Sequence, residues 1–185
     1  KDRPVLILLP GSRQQEIDHH WPIFLDTISK LNKKLPGLQS VVIKSSHVKL
    51  VPMPEHIKIE HSSESAMQNG TAAICSSGTA TLECAVANLP TVVCYKMSYL
   101  NWVLFNLLGK VKYISIVNLI AKKKIIPELI QHKMTPKNII KKIFPYLDIK
   151  SKKRMKTVKH FDALRKNLGQ RGVFDSIANF ILREN

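Results

Sequence analysis

The run Cys75-Ser76-Ser77-Gly78-Thr79-Ala80-Thr81-Leu82-Glu83 sets small hydroxyl residues and a glycine between a short apolar stretch, Ala72 to Cys75, and a helical pattern that carries a carboxylate early. At the end of a strand this composition suits an anion. Glycine lets backbone amides come close to an oxyanion, and a helix N-terminus presents partial positive charge. Ser77 or Thr79 is placed to cap the helix, and Glu83, about one turn further on, to accept hydrogen bonds from vicinal hydroxyls such as those of a ribose. The same small residues would also let a helix pack close to a sheet, so the local pattern leaves both readings open.

A second segment follows the same logic. The apolar run Val5 to Leu9 leads into Pro10-Gly11-Ser12-Arg13-Gln14-Gln15-Glu16, where Ser12 and Gln15 have capping-box spacing. That spacing predicts Arg13 in the first helical turn at the carboxyl end of a parallel strand. Open α/β sheets bind ligands there, and a guanidinium can pair with a phosphate. By itself the segment reads equally as a well-capped helix with an exposed arginine. Two anion-ready helix starts on one edge of a sheet favour a nucleoside diphosphate.

Neither G-x-x-x-x-G-K-[ST] nor G-x-G-x-x-G occurs at these turns, so the phosphate devices of ATP hydrolysis and ordinary nicotinamide chemistry are missing. A sugar nucleotide fits better. Arg13 and the helix amides would then stabilise negative charge growing on the leaving group as a glycosyl bond breaks.

Positioning these turns requires a parallel sheet covered by helices, and the chain alternates strand-length apolar windows with longer amphipathic ones. Strands are predicted at Val5 to Leu9, Val41 to Lys44, Ile57 to Glu60, Ala72 to Cys75 and Thr91 to Tyr95, with the sheet completed near Tyr113 to Ile116. Helices are predicted at Glu16 to Leu35, around Ser65 to Asn69, at Thr79 to Ala87 and from about Leu100 to Leu108. From Thr135 the character changes. Thr135-Pro136 reads as an N-cap with proline at the first helical position, followed by helices at about Lys137 to Leu147, Lys152 to Leu168 and Val173 to Arg183. The expected organisation is a Rossmann-like domain over residues 1–134 and a C-terminal helical segment over 135–185.

Composition sets bounds on the class. At 185 residues one domain is the soft expectation. The chain starts at Lys1 and enters a strand pattern almost at once, which reads as part of something longer. The densest apolar stretch, Trp102 to Leu108, is well short of the roughly 20 residues needed to span a bilayer. The three cysteines, Cys75, Cys84 and Cys94, lie in or beside apolar runs without a C-x-x-C pair, and are expected to be buried and reduced. The seven histidines, His19, His20, His47, His56, His61, His132 and His160, form no metal-like pair at i and i+4 and read as surface or capping residues. No metal and no cofactor are expected.

A net charge of +16 favours a polyanionic or phosphorylated partner. Lysine clusters at Lys122 to Lys124 and from Lys150 to Lys159 read first as solvated faces. RNA-binding, zinc-finger and helix-turn-helix signatures are missing, so nucleic acid is not the expected partner.

The motifs Leu8-Leu9-Pro10-Gly11-Ser12-Arg13 with Glu16-Ile17, then Ser76 to Glu83, then Tyr95-Lys96-Met97, then Asn118-Leu119-Ile120-Ala121 with Pro127-Glu128-Leu129-Ile130-Gln131, resemble in order and spacing the carboxyl-terminal half of bacterial lipid-A-disaccharide synthases. The resemblance covers about Val5 to Gln131 and is weaker beyond. It implies one half of a GT-B glycosyltransferase: a Rossmann-like parallel sheet with helices on both faces plus C-terminal helices, acting without a metal and inverting the anomeric centre. The implied reaction moves 2,3-diacylglucosamine from UDP to 2,3-diacylglucosamine 1-phosphate.

By matching position, Gly11, Ser12 and Arg13 and the Ser77-Gly78-Thr79 turn would contact the diphosphate and Glu83 the ribose. Asn118, Glu128 and Gln131 would line the nucleotide-sugar side of the cleft. The general base is expected in the amino-terminal half, which this chain lacks, and no catalytic base is named. The family's pattern has proline before the asparagine and glycine-arginine after the alanine, whereas Val117 precedes Asn118 here and Lys122-Lys123 follow Ala121.

The resemblance also implies a peripheral enzyme on the cytoplasmic face of the inner membrane of a Gram-negative-type bacterium, and leaves a homo-oligomer open. Trp102 and Phe105 lie in a segment that suits either core packing or an interfacial contact with lipid. Two rivals stay open at this point: a related UDP-sugar enzyme such as a UDP-N-acetylglucosamine epimerase, and a basic module that binds nucleic acid or anionic membrane through the helices after Lys150.

Overall fold

The computed structural model describes residues 3–97 and 113–167. Its centre is a six-stranded sheet in the order β3-β2-β1-β4-β5-β6. The strands are β1 (Val5–Leu9), β2 (Gln39–Ile43), β3 (Ile57–Glu60), β4 (Ala72–Cys75), β5 (Thr91–Tyr95) and β6 (Glu128–Ile130). Every neighbouring pair is parallel. Helices α1 (Gln14–Lys34), α2 (Ser63–Asn69), α3 (Ala80–Val86), α4 (Ile116–Ile120), α5 (Pro136–Leu147) and α6 (Lys152–Asn167) cover it.

The central strands are near-continuous apolar runs because both their faces are covered. Alternate side chains enter opposite cores. Leu6 and Leu8 of β1, Ile74 of β4 and Val92 of β5 pack with Trp21, Phe24 and Ile28 of α1 and Ile139, Ile143 and Tyr146 of α5. Ile7, Leu9, Ala73 and Cys75 face the other way, against Ala66 and Met67 of α2 and Cys84 of α3. A third cluster joins Ala85 of α3 and Val93 of β5 to Val117, Ile126 and, from α6, Phe161 and Leu164. Helices α5 and α6 are therefore built into the cores of the sheet domain. Arg154 reinforces this by donating to the carbonyls of Thr71 and Tyr146.

The expected cap at Thr135 is present, its hydroxyl accepting from the Asn138 amide at 3.3 Å with Pro136 opening α5. The close of the sheet differs from expectation. Residues 116–120 form α4 rather than a strand, and β6 is Glu128–Ile130. The reason lies in the hydrogen bonds. The Glu128 carboxylate accepts from the amides of Ile114 and Ser115, and the Ser115 hydroxyl accepts from the Asn118 amide, so these amides are withdrawn from any ladder. The helices expected at 100–108 and 173–183, and the candidate lipid contacts Trp102 and Phe105, lie outside the described residues.

Candidate functional site

The two glycine turns leave adjacent strands. Leu9 at the end of β1 is paired with Cys75 at the end of β4, and the Ser76 amide continues the pairing to the Leu9 carbonyl at 2.7 Å. Strand order reverses between β1 and β4, which is where open α/β sheets form a crevice outside their carboxyl ends. A cavity of about 470 Å³ lies there, lined by Gly11, Ser12 and Arg13 from one turn and by Ser77, Gly78, Thr79 and Glu83 from the other.

Gly11 and Gly78 both have φ of +129°, a conformation that L side chains rarely adopt. The space around them differs. A Cβ on Gly11 would lie 2.5 Å from Glu16 Oε2, whereas a Cβ on Gly78 would meet nothing within 4 Å. Gly11 is needed for fit as well as for backbone angle, and Gly78 for backbone angle.

Capping at both turns departs from expectation. Arg13 is the N-cap of α1 rather than a first-turn residue, and its side chain makes no cap. The Ser12 amide donates to Glu16 Oε2 at 3.1 Å, so the reciprocal carboxylate comes from Glu16 and not from Gln15. Neither Ser77 nor Thr79 caps α3. Ser77 Oγ donates to the Ile114 carbonyl at 3.2 Å, and Thr79 sits at the N-cap position without a side-chain bond. The helical ladder starts where the Thr81 amide meets the Gly78 carbonyl, and the amides just before it precede any intrahelical partner.

The remaining candidates have a different place. Asn118, Glu128 and Gln131 do not line this cavity. Asn118 is fully buried: Oδ1 accepts from the amides of Ile125 and Ile126 at 2.7 and 3.0 Å, while Nδ2 donates to the Ile126 carbonyl and to Glu128 Oε1 at 2.9 and 2.8 Å. Gln131 forms a paired bond with the Met97 backbone, accepting at 3.3 Å and donating at 3.2 Å. Asn118 and Glu128 hold residues 114–115, and Ser77 bonds to that same segment. A continuous polar chain thus supports the Gly78 turn from behind. In the same region Lys122, at the family's glycine position, has φ of +50°. A glycine would take that conformation without the Cβ penalty.

Several residues at the site carry no local signal in the sequence. Lys44 and Ser45 beyond β2, and His61 and Ser63 beyond β3, line the same cavity. The rule that ligands gather at the carboxyl ends of parallel strands could have found them. A second cavity of about 460 Å³ lies on the other side of Arg13, lined by Arg13, Glu16, His19, Tyr95 and Lys96. The Tyr95 hydroxyl is pushed up in pKa by burial and by Glu16, with Arg13 acting the other way, so both charges lie near it.

His20, expected at the surface or in a cap, is instead fully buried. The expectation for the cysteines holds for burial: Cys75, Cys84 and Cys94 are free and buried. A hydrogen bond with Cys84 and burial push the Cys75 thiol up, and burial does the same to Cys94, so neither is a ready thiolate. Among the described residues no helix is long and apolar enough to cross a membrane.

A parallel sheet of this order with a cavity at its switch point defines a Rossmann-type domain, and the solved structures similar to it have the GT-B glycosyltransferase fold. The spinosyn forosaminyltransferase SpnP shares it with a TM-score of 0.59 at 11% identity, over 97% of this chain and 44% of that one. The spinosyn rhamnosyltransferase SpnG, solved with thymidine diphosphate, does so with a TM-score of 0.54 at 14% identity, over 88% and 42%.

The particular family follows from sequence. The family model for lipid-A-disaccharide synthetase matches residues 1–176, and the chain belongs to that family. The lipid-A-disaccharide synthase of Gloeothece citriformis (strain PCC 7424) is 31% identical over 98% of this chain and 50% of its own length. The chain spans about half the length of the curated relatives it matches.

Proposed function

We propose that this chain is the nucleotide-sugar-binding half of an inverting glycosyltransferase that moves 2,3-diacylglucosamine from UDP to the 6-hydroxyl of 2,3-diacylglucosamine 1-phosphate, giving the lipid A disaccharide phosphate. One observation carries the reading: in a chain of this family, Gly11-Ser12-Arg13 and Ser77-Gly78-Thr79 leave adjacent strand tips and face one cavity that also holds Glu83.

In this reading the diphosphate lies between the two turns. Arg13 and the leading amides of α3 neutralise the charge that collects on UDP as the anomeric carbon–oxygen bond breaks, and Glu83 accepts from the ribose hydroxyls. Lys44, Ser45, His61 and Ser63 are left for the nucleobase end. Asn118, Glu128 and Gln131 act from behind, holding the segments on which the turns rest. The base that deprotonates the acceptor hydroxyl is not assigned to this chain. Contact with the membrane that supplies the acylated sugars, through Trp102 and Phe105, belongs to the same proposal.

Calorimetric titration of the full-length protein with UDP tests it. Wild type should bind, and Glu83→Ala should bind about tenfold more weakly, the cost of one charge-assisted hydrogen-bonding group. Equal affinities would remove Glu83 from the ribose, and no binding by wild type would remove the proposal.

A further inference from the structure

His20 lies on α1, one and a half to two turns beyond Arg13, with no exposed surface. Its Nδ1 is 2.7 Å from the Pro10 carbonyl oxygen and its Nε2 is 3.0 Å from the Lys96 amide nitrogen. These partners dictate the protonation state. The carbonyl can only accept, so Nδ1 carries the hydrogen. The amide can only donate, so Nε2 keeps its lone pair. The ring is a neutral Nδ1–H tautomer, wedged between Phe24 and Tyr95 at centroid distances of 6.3 and 5.6 Å.

The two partners lie just beyond different strands. Pro10 opens the turn that carries Gly11, Ser12 and Arg13. Lys96 follows β5, which is separated from β1 by β4. Both strands are paired to β4, and the last positions in those ladders are Leu9 and Val93, so Pro10 and Lys96 lie beyond the pairing that fixes the strands. The imidazole bridges the two. Arg13 and Lys96 both line the cavity of about 460 Å³.

We propose that His20 is a positioning residue for the anion site: its neutral imidazole clamps the Pro10 carbonyl to the Lys96 amide and so sets the separation of Arg13 and Lys96. The proposal rests on the reading that this domain binds a UDP-sugar. Protonation would put an N–H against the Lys96 N–H and open the clamp. The charged and titratable groups around the ring are Glu16 and His19 on α1, Tyr95 at the end of β5, and Arg13 and Lys96 in the adjoining loops. Burial is the largest influence and favours the neutral ring, the Pro10 contact and Glu16 oppose it, and His19 adds to burial; the Lys96 amide, as a donor to Nε2, also needs the ring neutral.

Two measurements on the full-length protein test this. In wild type, nitrogen-15 chemical shifts should show His20 with a protonated Nδ1 and a bare Nε2 at pH 7.5, with that pattern persisting below the ordinary midpoint near 6.5. An Nε2–H tautomer, or an averaged ring with an ordinary midpoint, overturns the clamp.

In the second measurement, His20→Leu fills the space without hydrogen bonds and should weaken UDP binding about tenfold, roughly the loss of one positioning hydrogen bond. His20→Asn, which keeps a donor toward Pro10 but is too short for Lys96, should fall between. A folded His20→Leu protein that binds UDP as wild type does refutes the positioning role. If the variants fail to fold, the wild-type shifts decide. If wild type itself binds no UDP, the functional proposal fails, and the shifts still judge the clamp.

Discussion

Glu16 reaches back along the first turn of α1 and accepts the Ser12 amide hydrogen through Oε2 at 3.1 Å, occupying the space that a side chain on Gly11 would need. An acidic group beside an anion site is explained by this contact, because the carboxylate shapes the turn that presents Arg13. Its charge and its hydrogen bond are separable. Glu16→Gln keeps an acceptor and drops the charge, and UDP affinity should be equal to wild type or severalfold higher. Glu16→Ala frees the turn and should lower affinity about fivefold to tenfold. Calorimetry on both variants checks the pair.

Arg13 is exposed, so its removal should leave the fold intact. Arg13→Ala in the full-length enzyme should lower turnover on the order of 100-fold, the usual effect of deleting one donor to a developing oxyanion. An unchanged melting temperature together with unchanged turnover and UDP affinity would show that Arg13 does not face the diphosphate.

Two glycines predict opposite outcomes. A Cβ on Gly70 would lie 2.7 Å from Ile7 Cγ1 and 2.9 Å from Leu89 Cδ1, so Gly70→Ala should destabilise by about 1–3 kcal/mol through overpacking, with UDP affinity of the folded protein preserved. Gly78→Ala meets no atom but must hold a left-handed turn, at a cost of about 1–2 kcal/mol, and should lose affinity. Denaturant melts paired with binding isotherms separate the two effects.

Asn118 makes four hydrogen bonds in a fully buried position. Asn118→Ala leaves the amides of Ile125 and Ile126 unpaired and should cost about 2–4 kcal/mol. Asn118→Asp sets a second carboxylate against Glu128 and the Ile126 carbonyl and should cost no less. Urea midpoints give the comparison.

His20 also makes stability depend on pH. Burial holds its folded pKa below the ordinary 6.5, so between those two values the unfolded chain binds more protons than the native one, and stability falls as pH falls. Above 6.5 the contribution is flat, and below the folded pKa it is flat again. His20→Leu should remove this slope from a plot of unfolding free energy against pH. A slope unchanged in the variant would assign it to other groups.

The central strands that carry the site are legible because each is covered on both faces and is almost wholly apolar, which marks β1, β4 and β5 to the residue; the edge strand β3, exposed from Lys58 to Glu60, also falls where it was expected. The close of the sheet was not legible. Tyr113 to Ile116 has strand-like composition, but its amides are claimed by the carboxylate of Glu128 more than ten residues later.

Glycine turns, the Thr135-Pro136 helix start and the Arg13 and Glu83 candidates could be read from the chain alone, since each reflects a local demand on backbone angle, capping or charge. Sheet order decided the rest. It set the ends of β1 and β4 side by side and brought His20 within 3.0 Å of an amide 76 residues away. It also turned Asn118 and Glu128 inward as supports. A hydrogen-bonding side chain has the same composition wherever it lies, and its partner is chosen by which strand tips the packed core brings together.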